Sequence, residues 1–356
     1  MDHELDWYKI IKADLLYDSL KAIMLNFSNY KKLLSTSRVE LKIQLEIPDF
    51  EIDKVFRSYE LEISQEIEIF EKEKIKLLFL NGKNYPAMLK EIAKPPTLLY
   101  AKGNLEFSER SIGVIGTRKI TALGVSATEK ITKTLVQNDI CIVSGLAKGV
   151  DTVAHETALK YGGKTIAIIG NGHDVIFPKE NAKLYLEIAE KGLLLSEFPL
   201  GTEAFRWNFP MRNRIIAGLS RGVVVTESYK KGGAMITAQL AIDEGRDVFA
   251  VPGFISYPSF EGCNELIKES VAKLVSSGDD IISEYQWSKK RKKIVVTPTL
   301  FTSTESLILS ILKVATSVDL IVKQSALTTQ EALAILTELE INGLVKSVAG
   351  GKYMAV

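Results

Sequence analysis

At 356 residues the chain is too long for one small domain, so a main domain with smaller attachments is expected. Its 45 basic and 44 acidic residues leave a formal charge of +1, which excludes a global field for nucleic acid and allows only a local basic patch. Two well-separated cysteines, Cys141 and Cys263, with no C-x-x-C, argue against a disulfide scaffold and fit a reducing compartment.

The first residues, M-D-H-E-L-D, lack the basic-then-apolar pattern of a secretory signal. No apolar run approaches the about 20 residues that a membrane helix needs, so a soluble cytoplasmic protein is expected. From Leu5 to Phe70 apolar residues recur at spacings of three and four, with polar breaks at Asn26, Ser35 to Ser37 and Pro48-Asp49. This predicts a small helical domain over residues 1–72, of SAM or helix–hairpin–helix type. No Gly-x-Gly hairpin is present to hold a phosphate, so packing is its expected role. Short strands at Leu77–Phe79 and Thr97–Ala101, separated by Tyr85-Pro86 and Pro95-Pro96, should add an edge to the main sheet.

Beyond Ser111 strands and helices alternate regularly. Strands are predicted at 112–115, 140–143, 165–169, 193–195, 223–226 and 248–251. Helices are predicted at 122–136, 151–161, 181–191, 213–219 and 234–244, with an irregular stretch from the fourth of these strands through Pro210. The strands are apolar runs with little alternation, as strands buried on both faces must be. The fold class that follows is α/β: an extended Rossmann-like, doubly wound, mainly parallel sheet over residues 73–285. A basic linker over 286–303, carrying Lys289 to Lys293, leads to a module over 304–356. Three helical segments and a hairpin turned at Gly350-Gly351 read as a winged helix. Its third helix, T-T-Q-E-A-L-A-I-L-T-E-L-E, is acidic, which argues against reading a major groove.

Four turns belong at the carboxyl edge of this sheet, where such folds bind ligands. The first, G-V-I-G-T-R, carries Gly116 and Arg118, a glycine for close approach and a guanidinium that can take a phosphate by two bonds. It lacks the third glycine of a dinucleotide fingerprint, and no acidic residue ends the second strand, so no nicotinamide cofactor is expected. The second, S-G-L-A-K-G-V-D, supplies Ser144, Gly145, Lys148 and Gly149 before a helix N-terminus, a natural anion site. Asp151 and His155, four apart, read either as a carboxylate–histidine base or as a helix cap and a buried histidine. The third, F-R-W-N-F-P-M-R-N-R, mixes arginines with Phe205, Trp207 and Phe209. It suits either a polyanion with exposed bases or a helix entry with its aromatics in the core. The fourth, G-G-A-M-I-T-A, offers Gly232 and Gly233. The run G-G-K-T at 162–165 precedes a strand instead of following one, so it is no P-loop. With no nucleophile elbow, no Ser-His-Asp pattern and no metal-ligand cluster, neither an enzyme nor a metal or other cofactor is expected.

Taken together, V-I-G-T-R, S-G-L-A-K-G-V-D-T-V-A-H, S-E-F-P-L-G, F-P-M-R-N-R-I-I-A-G-L-S, G-G-A-M-I-T-A and V-F-A-V-P-G closely resemble the DNA-processing protein A (DprA/Smf) family. The resemblance is strong from about Tyr85 to Ile282. It implies a bacterial cytoplasmic protein, commonly dimeric, that binds single-stranded DNA, protects incoming strands during natural transformation and helps load the RecA recombinase. It implies a phosphate pocket at Arg118, Ser144, Gly145 and Lys148, and an R-N-R segment at Arg212, Asn213 and Arg214. The chain departs from the family with Lys148 where arginine is common, and with G-G-A-M-I-T-A where S-G-S-L-I-T-A is usual. Lysine keeps the charge and loses the bidentate fork. The alternative class is a nucleoside-monophosphate glycosidic-bond hydrolase or a nucleotide-sensing scaffold, although the Glu such a loop needs downstream is missing and Glu227 lies upstream.

Overall fold

The structure is a computed structural model that describes residues 2–355 other than 28, 105, 289–302, 313, 342–343 and 349. It divides into two units, Met1–Lys290 and Arg291–Val356. The expected basic linker falls, from 289 to 302, outside the described residues.

The first unit begins with six helices, α1 (Asp2–Lys12), α2 (Tyr17–Asn26), α3 (Tyr30–Ser35), α4 (Arg38–Leu45), α5 (Asp49–Arg57) and α6 (Ser64–Lys72). Polar residues start two of them: the Asn29 side chain accepts from Lys31 N–H at 2.8 Å, and the Ser37 hydroxyl from Glu40 N–H at 3.2 Å. Then come β1 (Ile75–Phe79), α7 (Ala87–Lys90), β2 (Leu98–Gly103), β3 (Ser111–Ile115), α8 (Ala122–Gln137), β4 (Cys141–Ser144), α9 (Val150–Lys160) and β5 (Thr165–Ile169). The unit continues with α10 (Ala182–Lys191), β6 (Leu193–Ser196), α11 (Asn208–Gly218), β7 (Gly222–Val225), α12 (Gly233–Asp243), β8 (Asp247–Ala250), α13 (Glu261–Lys268), β9 (Lys273–Leu274) and α14 (Gly278–Glu284).

The nine strands form one sheet in the order β1-β2-β6-β5-β4-β3-β7-β8-β9. From β6 to β9 every pairing is parallel, while β2 joins β6, and β1 joins β2, antiparallel. The expected extra edge is therefore this β1–β2 pair. Both faces are covered, as the unbroken apolar runs require. Ile112 and Val114 pack with Ile131 of α8 and Val150 and Ala154 of α9, while Ile115, Val223 and Val225 pack with Ile215 and Ile216 of α11 and Ala238 of α12. Each valine or isoleucine among them, fully buried, contributes roughly 1.5–3 kcal/mol of transfer free energy. Trp7 and Ile10 of α1 belong to the same buried cluster as Phe79 and Leu99, so the helical region shares its core with the antiparallel edge.

The chain winds outward from β3 through β4, β5 and β6, then returns to place β7 on the other side of β3. Between β3 and β7 the direction of winding reverses, and loops at their carboxyl ends part to leave a crevice. The elements α13, β9 and α14 were not expected, and one expected helix starts elsewhere. α11 begins at Asn208, not at Asn213, and runs through Pro210. Pro210 is its third residue, inside the first turn, where a missing N–H leaves no hydrogen bond unmade.

The second unit contains α15 (Ser303–Ile311), β10 (Thr316–Ser317), α16 (Val318–Ser325), α17 (Thr329–Ile341), β11 (Val345–Val348) and β12 (Lys352–Ala355). Ile308, Ile321, Ala332 and Leu336 form its core. β10, β12 and β11 pair antiparallel in that order, the three-helix and hairpin arrangement of a winged helix. The short β10 was not expected; two residues are too few to leave an alternating pattern.

Candidate nucleic-acid interface

Two turns meet backbone to backbone at the carboxyl edge of the sheet. Thr117 N–H donates to the Glu227 carbonyl at 2.7 Å, and Val150 N–H donates to the Thr117 carbonyl at 3.2 Å. Gly149 makes that contact possible. Its φ is +81°, and a Cβ there would lie 2.2 Å from the Thr117 oxygen. The first turn thereby holds Arg118 at its tip, exposed, with its guanidinium 5.3 Å from the Phe209 ring centre. Among the described residues no acidic side chain pairs with Arg118.

The second turn is held from beneath. Asp151 Oδ2 accepts from Gly145 N–H at 3.1 Å and Ala147 N–H at 3.2 Å. The buried Arg212 donates to the Gly145 carbonyl at 2.7 Å and to the Ile168 carbonyl, joining the ends of β4 and β5. A Cβ on Gly145 would sit 2.7 Å from Arg212 Nη2 and 2.8 Å from Asp151 Oδ2, so the two charges approach only because that side chain is absent. Burial lowers the Arg212 pKa to about 10, partly offset by Asp151. Burial likewise raises the Asp151 carboxyl, while Arg212 and the turn's N–H groups oppose the rise. Lys148, half exposed, forms a surface ion pair with Glu180, a contact of little strength that another anion can displace.

His155 is not a base at this edge. It is buried, its Nδ1 lies 2.7 Å from Thr165 Oγ1, and burial pushes its pKa down to about 3, so it is neutral. Asp151 supports the turn instead of pairing with it. His173 is also buried, 2.9 Å from the Tyr100 carbonyl, and is lowered to about 4 by the same cause. Among the described residues no group of three His, Cys, Asp or Glu is placed to hold a metal.

Six of the sequence-predicted residues, Gly116, Arg118, Arg212, Asn213, Gly232 and Gly233, line one cavity of about 790 Å³. Gly145 and Lys148 join Arg118 around an adjoining recess of about 70 Å³, and Phe177, Phe209 and Ala147 border both spaces. Three others line neither. Ser144 is fully buried and donates to the Val114 carbonyl at 2.6 Å, tying β4 to β3. Gly149 serves the backbone contact already described. Arg214, although in the same helix as Arg212, turns away to an ion pair with Glu197 at 2.5 Å. The helical period separates it: residues two apart project about 200° from each other.

The cavity also takes residues outside the predicted set, Arg206, Phe209 and Phe177. The first two lie in the aromatic–arginine stretch, which was their signal. Phe177 follows β5 in a loop whose approach to β4 depends on the strand order, so no local pattern marks it.

Residues 76–286 match the family of DNA recombination-mediator protein A, and residues 301–351 match the DprA winged helix domain. DNA processing protein DprA of Streptococcus pneumoniae is 48% identical over 204 residues, covering 57% of this chain and 72% of that protein. The X-ray structure of DNA processing protein A from the same organism superposes with a TM-score of 0.68 at 38% identity, covering 78% of this chain and 97% of that one. DNA processing protein A from Helicobacter pylori, whose structure was solved for its single-stranded DNA binding mode, gives a TM-score of 0.55 at 30% identity, covering 60% and 96%. The match spans more than half of the chain, with the strand-end turns inside it, and the chain belongs to the DNA recombination-mediator protein A family.

Proposed function

We propose that this chain binds single-stranded DNA at the carboxyl edge of its sheet, without catalysis, and that it protects incoming strands and helps load RecA recombinase during transformation. The observation that carries this reading is Arg118, exposed and, among the described residues, without an acidic partner, at the mouth of a cavity bordered by glycine turns and aromatic rings. Arg118 and Lys148 grip backbone phosphates, helped by N–H groups of the turns, and Arg212 holds the turns in place. Asn213, Gly232 and Gly233 complete the wall. Ser144, Gly149 and Arg214 act through the fold. Membership in a recombination-mediator family, and the single-strand binding named for the H. pylori protein, support the substrate class. A cytoplasmic homodimer is the proposed working form, and among the described residues no helix is long and apolar enough to cross a membrane. The helical region 1–72 and the winged helix 304–356 are proposed as accessory modules. Glu227, the carboxylate a glycosidic hydrolase would need, accepts from Thr121 N–H at 2.9 Å and lies outside the cavity lining.

Anisotropy titration of the full chain with a labelled single strand and its duplex, across a salt series, tests the proposal. Tight, salt-sensitive, strand-preferring binding is expected, with Lys148→Glu weakening every sequence about equally, by roughly tenfold or more at low salt. Binding indifferent to Lys148, or release of free base from a nucleoside monophosphate, would overturn it.

A further inference from the structure

The turn that leads into α11 carries an arrangement that the phosphate pocket does not use. Phe205 and Trp207 stack face to face, with ring centres 4.7 Å apart and planes 5° from parallel. Neither belongs to any buried cluster, and Trp207 is 64% exposed. Large aromatic surface left in water is unfavourable, so a stacked pair held open needs a reason. The turn beneath it is anchored. Asn208, buried, donates to the Gly170 carbonyl at 2.9 Å at the end of β5, and its own N–H bonds the Phe205 carbonyl at 3.1 Å. With one indole face on Phe205, the other is open.

Position identifies what the open face takes. Between the two rings in sequence, Arg206 is exposed, has no acidic partner among the described residues and lines the same cavity as Arg118. Three residues on, Phe209 lies under the Arg118 guanidinium. The aromatic pair does not itself line the cationic cavity but flanks it in sequence, with Ala204, Arg206 and Phe209 on the wall, and the ligand that offers an anionic backbone and flat uncharged rings at regular intervals is a single-stranded nucleic acid. We infer that Phe205 and Trp207 form a base-stacking platform on which a nucleotide next to the phosphate pocket rests. The platform sets the direction in which the strand leaves that pocket, and it favours single strands because a duplex keeps its base faces covered. This rests on the single-strand reading above and adds a base subsite to it.

The experiment compares wild type, Trp207→Ala, Trp207→Phe and Lys148→Glu. Each is titrated with oligothymidylate and with the same backbone carrying abasic sites, across a salt series, with tryptophan emission recorded. Trp7 is buried, and Trp287 already stacks on Tyr285, so quenching by the strand reports Trp207. The expected result is a loss of about tenfold to a hundredfold for Trp207→Ala with the salt slope unchanged, because no phosphate contact is removed. Trp207→Phe should recover most of the affinity but not the quench, and wild type should bind the abasic strand as weakly as Trp207→Ala binds the normal one. If Trp207→Ala binds like wild type while Lys148→Glu fails, the platform is overturned and the phosphate pocket stands; if both bind like wild type, the pocket reading falls as well. A loss of affinity that tracks a change in sedimentation would show that the rings pack against a second copy, and would also overturn the platform.

Discussion

At the scale of single residues, two arginines of one cavity do different work. Arg118 is exposed and has no acidic partner among the described residues, while Arg212 is buried and spends its donors on the carbonyls of Gly145 and Ile168 and on Asn213. Removing Arg212 strands two buried acceptors and leaves Asp151 without its opposing charge. Arg212→Ala should therefore cost about 3–5 kcal/mol of stability, read as a lower urea midpoint. Arg118→Ala should leave that midpoint unchanged. Equal midpoints for both variants would show that Arg212 is not the internal brace described here. Sequence reasoning put both arginines at the site, and could not tell an exposed cation from a bracing one. That distinction depends on what lies opposite each guanidinium, and Ile168 is 44 residues from Arg212. Arg214 was not separable from the cavity residues for the same reason. Its partner Glu197 comes from the end of β6, a neighbour only once the sheet exists.

Among elements, the alternation of strand, glycine turn and helix was legible because strands buried on both faces leave continuous apolar runs. The start of α11 was not legible, because Pro210 reads as a breaker until its place in a first turn is known. Three of the four turns meet because β3, β4 and β7 are neighbours, and the contact between the first two depends on Gly149. Gly149→Ala forces a side chain into a positive-φ position and against a carbonyl 2.2 Å away. It should destabilise by a few kcal/mol and weaken strand binding together with the fold, since the first turn must withdraw. Unfolding curves alongside binding would check this; a variant of wild-type stability and affinity would mean that the turns do not need their close approach.

For the whole molecule, a net charge of +1 means that affinity for a polyanion must be local. The fold supplies that locality by winding outward from β3 in both directions, so that the loops after β3, β4, β5 and β7 open onto one crevice. α17 carries three glutamates and no basic residue, so it offers no phosphate contact of its own. The measurement that tests this account most directly is the slope of log affinity against log salt for a single strand, in wild type and Arg118→Ala. One lost phosphate contact should reduce the slope by about 0.7 and lower the affinity at low salt, with stability unchanged. An identical slope and affinity in the two proteins would contradict the account and move the DNA site away from the carboxyl edge of the sheet.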